Sequence, residues 1–229
     1  MKTLVVSNHN SDLEWLKMTY DHGFSPKNTV IYDRSDVEKD WSHLGKSIRS
    51  PNVGENIYDM MRFVVENYDN LPDISVFIKG NLFSRPEDKG GEEYYTTKER
   101  FIRALHADYY LPIEKYHDTT SYYVNAGGYI EPSWYQHQAP SKYFKTYAEL
   151  MSLLFENPIN PEYIRFPPGG NYVVPKGNLL KYSRSLYEKL MLYCSHCEVV
   201  CAEAYLIERA LHAIWTEDFK EKGNHVSTY

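Results

Sequence analysis

The chain has 229 residues, of which 42% are hydrophobic and 24% charged, with a formal net charge of −6 and a pI near 5.9. That length and hydrophobic share support one domain with a sizeable core, and the acidic balance argues against a general nucleic-acid-binding surface, which needs a basic face. The apolar run after Met1 is too short for a signal peptide and no run approaches a membrane span, so the expected address is the cytoplasm.

The run "TLVVS" (Thr3–Ser7) is apolar and β-branched and reads as a buried strand. The turn formers "NHNSD" follow, and Ser11 or Asp12 is placed to cap a helix, "LEWLKMTYDH", that ends at Gly23. "TVIYD" (Thr29–Asp33) is the second strand, and a polar connection runs from there to Pro51. Next, Ile57, Met60, Met61, Val64 and Tyr68 follow the spacing of an amphipathic helix. Pro72 prevents its continuation. "ISVFI" (Ile74–Ile78) is apolar on both faces, as a strand covered on both sides is. Strands alternating with helices predict an α/β fold with a mainly parallel sheet.

Residues 82–145 read as mostly irregular, apart from a short helix at "TKERFIRALH". The chain has 22 Tyr, and this segment is dense in aromatics, with Tyr122, Tyr123, Tyr129, Trp134 and Tyr135. Such a segment either stacks on a sugar ring or packs on itself over the sheet. "TYAELMSLLFENP" is a further helix and "GGNYVVP" a short strand. "SRSLYEKLMLYCSH" and "CAEAYLIERALHAIW" are two more helices. Cys194, Cys197 and Cys201 are offset by three and seven residues, which places all three on one helical face. A metal at this CxxC is the lesser reading, because no second Cys or His pair has ligand spacing.

Three successive strand ends carry polar groups: Asn8 and Asn10, then Asp33, then Lys79 and Asn81 with Gly80 between them. Ligands of open α/β sheets bind outside the carboxyl ends of the strands, so these residues outline a candidate crevice.

The order "VVSNHNSDLEWL", "VIYDRS", "NVGENIYDMMRFVVENYDNLPDISVFIKG", "GGNYVVPKGNLLKYSRSLYEKL" and "CAEAYLIERALHAIW" resembles a mainly fungal and viral family of short glycosyltransferase-like proteins. More distantly, the layout is similar to that of GT-A glycosyltransferases, with a Rossmann-like sheet. That resemblance implies a nucleotide-binding half over residues 1–81, a loop-rich segment over 82–145 and an acceptor and catalytic half over 146–229. It implies a nucleotide-sugar donor and a carbohydrate acceptor as partners. Asn8, Asn10 and Asp33 would hold the nucleoside, and a late acidic residue would act as base.

One departure matters. GT-A enzymes carry a metal-binding Asp-x-Asp at the third strand end, and this chain has none. Lys79-Gly80-Asn81 stands there instead. Lysine does not ligate Mg²⁺ or Mn²⁺, but it can neutralise a diphosphate directly, and Gly80 would let backbone approach the ligand. Whether a divalent metal also takes part stays open.

Glu203, one turn before the inward stripe Ile207, Leu211, Ile214 and Trp215, is the base candidate. It is equally a carboxylate placed to favour the helix dipole. Glu208 and His212, four apart, read as a polar pair or a metal pair. Asn171 and Lys176 in "GGNYVVPKGN" could contact sugar or phosphate, or belong to a plain turn. Glu55, beside Gly54, reads first as a first-turn carboxylate that favours the dipole and second as part of the site. A non-catalytic nucleotide- or carbohydrate-binding module is the alternative function, and a hydrolase using the 9 scattered His is the least supported.

Overall fold

The computed structural model describes residues 1–83, 95–114, 123–125, 141–159, 163–199 and 201–223. The fold is α/β, built on a mixed six-stranded sheet. Strand β1 (Lys2–Asn8) pairs in parallel with β2 (Thr29–Asp33) on one side and β4 (Ile74–Lys79) on the other. Strand β3 (Lys46–Arg49) extends the parallel part beyond β2. The remaining two strands, β5 (Leu111–Pro112) and β8 (Tyr172–Pro175), complete the order β3-β2-β1-β4-β8-β5. β8 runs antiparallel to both of its neighbours. Strands β6 (Tyr123–Asn125) and β7 (Tyr163–Arg165) form a separate antiparallel pair.

Strand residues alternate between two cores, as the period of two requires. Val5, Tyr32, Phe77, Tyr172 and Val174 face one layer of helices: α1 (Glu55–Asn67), α3 (Tyr147–Leu154), α5 (Arg184–Cys194) and α6 (Ala202–Thr216). Leu4, Val6, Ile31, Val76, Ile78 and Val173 face the other, formed with Leu13, Leu16, Trp41, Leu44 and α2 (Lys98–Leu105). A short helix, α4 (Lys176–Leu179), follows β8 directly. No described helix is long and apolar enough to cross a membrane.

Several expectations change. The first crossover, Glu14–His22, is a 3-10 helix rather than an α-helix. Asp12 does accept from the Glu14 N–H, and Gly23 ends the element in the left-handed conformation. The polar connection to Pro51 contains β3, an exposed edge strand with no apolar run to reveal it. The sheet keeps its expected mainly parallel character but is mixed, because the "NYVVP" strand enters between β4 and β5 against their direction. The three cysteines do not share a helical face: Cys194 ends α5, Cys197 lies in the connection, and Cys201 precedes α6 as its N-cap. Most of the Tyr-rich segment, including Tyr122, Tyr129, Trp134 and Tyr135, lies outside the described residues.

Gly54 fixes how α1 starts. Its φ is +56°, and an added Cβ would lie 2.5 Å from Cys194 Cβ and 2.7 Å from the Cys194 carbonyl oxygen. Gly54→Ala should therefore cost about 2–4 kcal/mol from backbone strain and overpacking together. Gly177, with nothing within 4 Å of a Cβ, is the control, and Gly177→Ala should be neutral or mildly stabilising. Urea denaturation of the two variants checks this; equal midpoints would show that α1 does not depend on the Gly54 contact.

Candidate functional site

The parallel register brings the carboxyl ends of β1, β2 and β4 to one sheet edge. Asn8 pairs with Asp33, and Ser7 with Lys79. A cleft of 150 Å³ opens there, lined among others by His9, Arg34, Glu55, Lys79, Asn81 and Val199. A larger cavity of 590 Å³, lined by Asp33, Lys39, Asp40, Ser47 and Arg49 among others, opens at the ends of β2 and β3. Asp33, which lines the larger cavity, and Arg34, which lines the cleft, are consecutive at the end of β2.

Two cations project into this region. Arg34 is 8% exposed, and its Nε lies 3.6 Å from Asp59 Oδ2. Asp59 is fully buried and accepts from the hydroxyls of Ser7 and Ser50. Lys79 is also 8% exposed. Its Nζ lies 3.4 Å from Glu55 Oε2 and 3.5 Å from the Tyr95 hydroxyl, and sits over the Tyr95 ring at 5.3 Å. The Tyr205 hydroxyl donates to Glu55 Oε1 at 3.1 Å. Glu55 itself adopts φ +50°, and Val199 on the rim adopts φ +63°. Both are unusual for residues with a Cβ, the β-branched Val most of all.

A second group of carboxylates lies behind Lys79. Glu208 Oε1 accepts from the Gly169 N–H at 2.8 Å. Glu114 is 2% exposed, and its Oε1 has no hydrogen-bond partner among the described residues. Burial raises both carboxyls. Glu114 is driven well up by burial and then by the charge of Glu208; for Glu208, Lys79 and Arg209 partly oppose the rise. Burial acts on Glu55 too, but Lys79, Arg34 and the Tyr205 hydroxyl outweigh it and hold Glu55 below the ordinary carboxylate value. Burial pushes Asp59 up to about 6, against Arg34 and its two serine donors.

The residues expected from the sequence fall into three groups. Lys79 and Asn81 line the cleft and Asp33 lines the larger cavity. Asp33 Oδ1 is taken by Asn8 and Ser35, while its buried Oδ2 has no partner among the described residues.

Four others build the edge rather than face the open space. Asn8 is fully buried and ties Asp33, Ser35 and Ser11 together. Asn10 clasps Asp36 in both directions. A Cβ on Gly80 would lie 2.4 Å from Asn8 Oδ1, so its close approach is to Asn8. Asn171 Oδ1 accepts from the Lys79 N–H at 2.9 Å and so sets the end of β4.

Two lie apart from the cleft. Lys176 follows Pro175, which pairs with Ile74, at the opposite edge of the sheet. Glu203 is fully buried at the start of α6. Its Oε1 accepts from the N–H groups of Lys142 and Tyr143, and its Oε2 meets His196 Nε2 at 2.8 Å. Glu208 and His212 do not pair with each other; His212 Nδ1 meets the Tyr110 hydroxyl at 3.0 Å.

Sequence reasoning passed over Arg34 and gave a site role for Glu55 only as the second reading. Arg34 carried the same signal as Lys79, a cation just past a buried strand. Glu55 carried only its place at the helix start beside Gly54; its left-handed backbone has no signature in the sequence.

Asp59, Glu114 and Glu208 are raised in the folded state, so the unfolded chain releases these protons first. Stability from them is full below about pH 4 and is lost as pH rises through their folded values, near 6 for Asp59. Asp59→Asn should therefore lose less stability than wild type between about pH 4 and 7, by on the order of 1–3 kcal/mol. Urea midpoints at the two pH values test this. Parallel pH profiles would remove Asp59 as a titrating group.

No curated protein and no solved structure matches this chain. A family profile does match, across residues 4–228. The chain belongs to the family described as "Protein of unknown function (DUF3431)".

Proposed function

We propose that the protein is a glycosyltransferase that moves a sugar from a nucleotide-sugar donor to an acceptor hydroxyl. The observation that carries this reading is the convergence of Arg34 and Lys79 on one cleft, with a 590 Å³ cavity beside β2 and β3 lined by Asp33, the residue before Arg34. Two largely buried cations suit a diphosphate, and a space of that volume suits a nucleoside. Asp33 Oδ2, buried and unpartnered among the described residues, is an acceptor for a ribose hydroxyl or a base N–H. The resemblance to GT-A glycosyltransferases assigns the nucleoside to the same strand ends.

The chemistry is a displacement at the anomeric carbon. The acceptor oxygen forms a bond to that carbon and passes its proton to a carboxylate. The bond to the diphosphate breaks, and its electron pair stays on the leaving oxygen, where Arg34 and Lys79 stabilise the growing charge. Glu203 is committed to two backbone N–H groups and His196. We assign the base role to Glu208 instead. It lies one turn beyond Tyr205 on α6, close enough to feel the charges of Lys79 and Glu55, and burial raises its affinity for protons, as a general base needs.

Purified protein incubated with a panel of nucleotide-sugars should show a thermal shift with at least one donor and release its nucleoside diphosphate. Lys79→Ala should weaken donor binding and turnover together, each by roughly 100-fold. Glu208→Gln should lower turnover by roughly 100-fold and leave donor binding nearly unchanged. Binding without any turnover would make the protein a nucleotide- or carbohydrate-binding module. A Glu208→Gln variant of full activity and unchanged melting would remove Glu208 as the base.

Glu203 separates from this chemistry in a different assay. Glu203→Gln can keep an amide oxygen on the Lys142 and Tyr143 N–H groups but turns an NH2 donor toward His196 in place of Oε2, and should cost about 1–3 kcal/mol of stability, with turnover per folded molecule retained. A stable but inactive Glu203→Gln protein would return the base role to Glu203.

A further inference from the structure

We propose that His196, Cys197, Cys201 and Glu203 form a tetrahedral Zn²⁺ site that braces the corner between α5 and α6. The proposal is independent of the glycosyltransferase reading. It rests on geometry: ligand atoms of His196, Cys201 and Glu203 all lie within 4.8 Å of one another. His196 Nε2 and Glu203 Oε2 are 2.8 Å apart, and Cys197 Sγ lies 2.8 Å from His196 Nδ1 and 3.8 Å from its Nε2. Zn²⁺ bonds of about 2.0–2.3 Å place tetrahedral ligand atoms roughly 3.3–3.8 Å apart. The His–Glu contact would open slightly, the Cys201 thiol would close in, and the Cys197 thiol would swing from the Nδ1 side of the imidazole to the Nε2 side, all by side-chain rotation.

The donor set points to this metal. Two thiolates, an imidazole and a carboxylate suit a borderline-soft ion with four ligands, and exclude the all-oxygen preference of Mg²⁺ or Ca²⁺. The surroundings already orient the ligands. The N–H groups of Lys142 and Tyr143 hold Glu203 Oε1, which turns Oε2 toward His196. This is the outer-shell support that metal-bound carboxylates have. Glu203 and Cys201 are fully buried and the His196 side chain is 9% exposed, so an ion here would be shielded from water on most sides.

The site would tie together three pieces of chain. Residues 142–143 and α6 meet at Glu203, and the connection after α5 supplies His196 and Cys197. That connection continues to Glu198, which bridges to Val53, and to Val199 on the cleft rim. A metal at this corner would therefore stabilise the rim from behind without entering the cleft.

The test uses the full chain, purified under reducing conditions without chelator. Elemental analysis should find about one Zn²⁺ per chain, the content of a closed structural site. After chelation, Zn²⁺ alone should raise the melting temperature by several degrees. Co²⁺ loaded in its place should give tetrahedral d–d absorption and a thiolate charge-transfer band. Cys201→Ser and His196→Ala should lose the metal. Cys197→Ser should fold and reduce the charge-transfer band by roughly half, since one of two thiolates remains. Cys194→Ser should keep both metal and band. Wild-type protein that neither carries Zn²⁺ nor gains stability from it would overturn the proposal. So would a Cys197→Ser protein with an unchanged Co²⁺ spectrum, or a disulfide between Cys194 and Cys201 in the reduced preparation.

Discussion

The cleft depends on two carboxylates one turn apart on α1. Glu55 and Asp59 are spaced i, i+4, so they share a helix face, and that face meets the carboxyl ends of β2 and β4. Asp59 pairs with Arg34 from the first, and Glu55 with Lys79 from the second. Each cation is 8% exposed, a degree of burial that charged side chains reach only when paired. Desolvating a charge is expensive, and removing one member of a buried pair strands the other. Helix α1 thus cannot be shifted along its axis without leaving two cations unbalanced. The apolar residues Ile57, Met60, Met61 and Val64 fix the same register from the core side.

The two pairs are not equivalent. Lys79 lies against Glu55, which is held ionised, and Glu55 is half-buried with its other oxygen on Tyr205. Asp59 is fully buried under Arg34 and takes its proton more readily, near pH 6. Glu114 and Glu208, also buried, are raised as well. Of these four carboxylates Glu55 lines the cleft, while the raised ones, Asp59, Glu114 and Glu208, are buried.

Much of the scaffold was legible because it rests on local pattern. The runs Thr3–Ser7, Thr29–Asp33 and Ile74–Ile78 are strands, adjacent and parallel, and the spacing from Ile57 to Val64 is a helix. The strand β3 was hidden because an exposed edge strand such as "KSIR" has no apolar signature. The direction of β8 was hidden because a buried strand reads the same in parallel and antiparallel pairing. At the site, strand-end placement found Lys79, Asn81 and Asp33. It could not distinguish residues that face the open space from those that build the edge: Asn8, Asn10, Gly80 and Asn171 have the right position along the chain, but their side chains or close contacts turn to neighbouring segments. Glu203 was correctly placed at a helix start. Its partners, residues 142–143 and His196, come from other parts of the chain, and no spacing rule reports them.

Backbone strain explains why the cleft has a fixed shape. Glu55 and Val199 both line it and both adopt left-handed backbone angles. Such residues cost about 1–3 kcal/mol each and persist only where the surroundings over-determine them. Here the surroundings are each other's segments. Gly54 packs against the last turn of α5 at Cys194, Val53 bridges to Glu198, and the Val199 N–H donates to the Asn52 carbonyl at 2.6 Å. Residues 52–55 and 194–199 therefore clasp one another, and the clasp sets both strained residues at once. Glu55 is thereby aimed at Lys79 before any ligand arrives. The two cations of the cleft are thus positioned by paired carboxylates. The strain sits where the chain must turn Glu55 inward, which ties the local geometry of a four-residue segment to the charge arrangement of the whole edge.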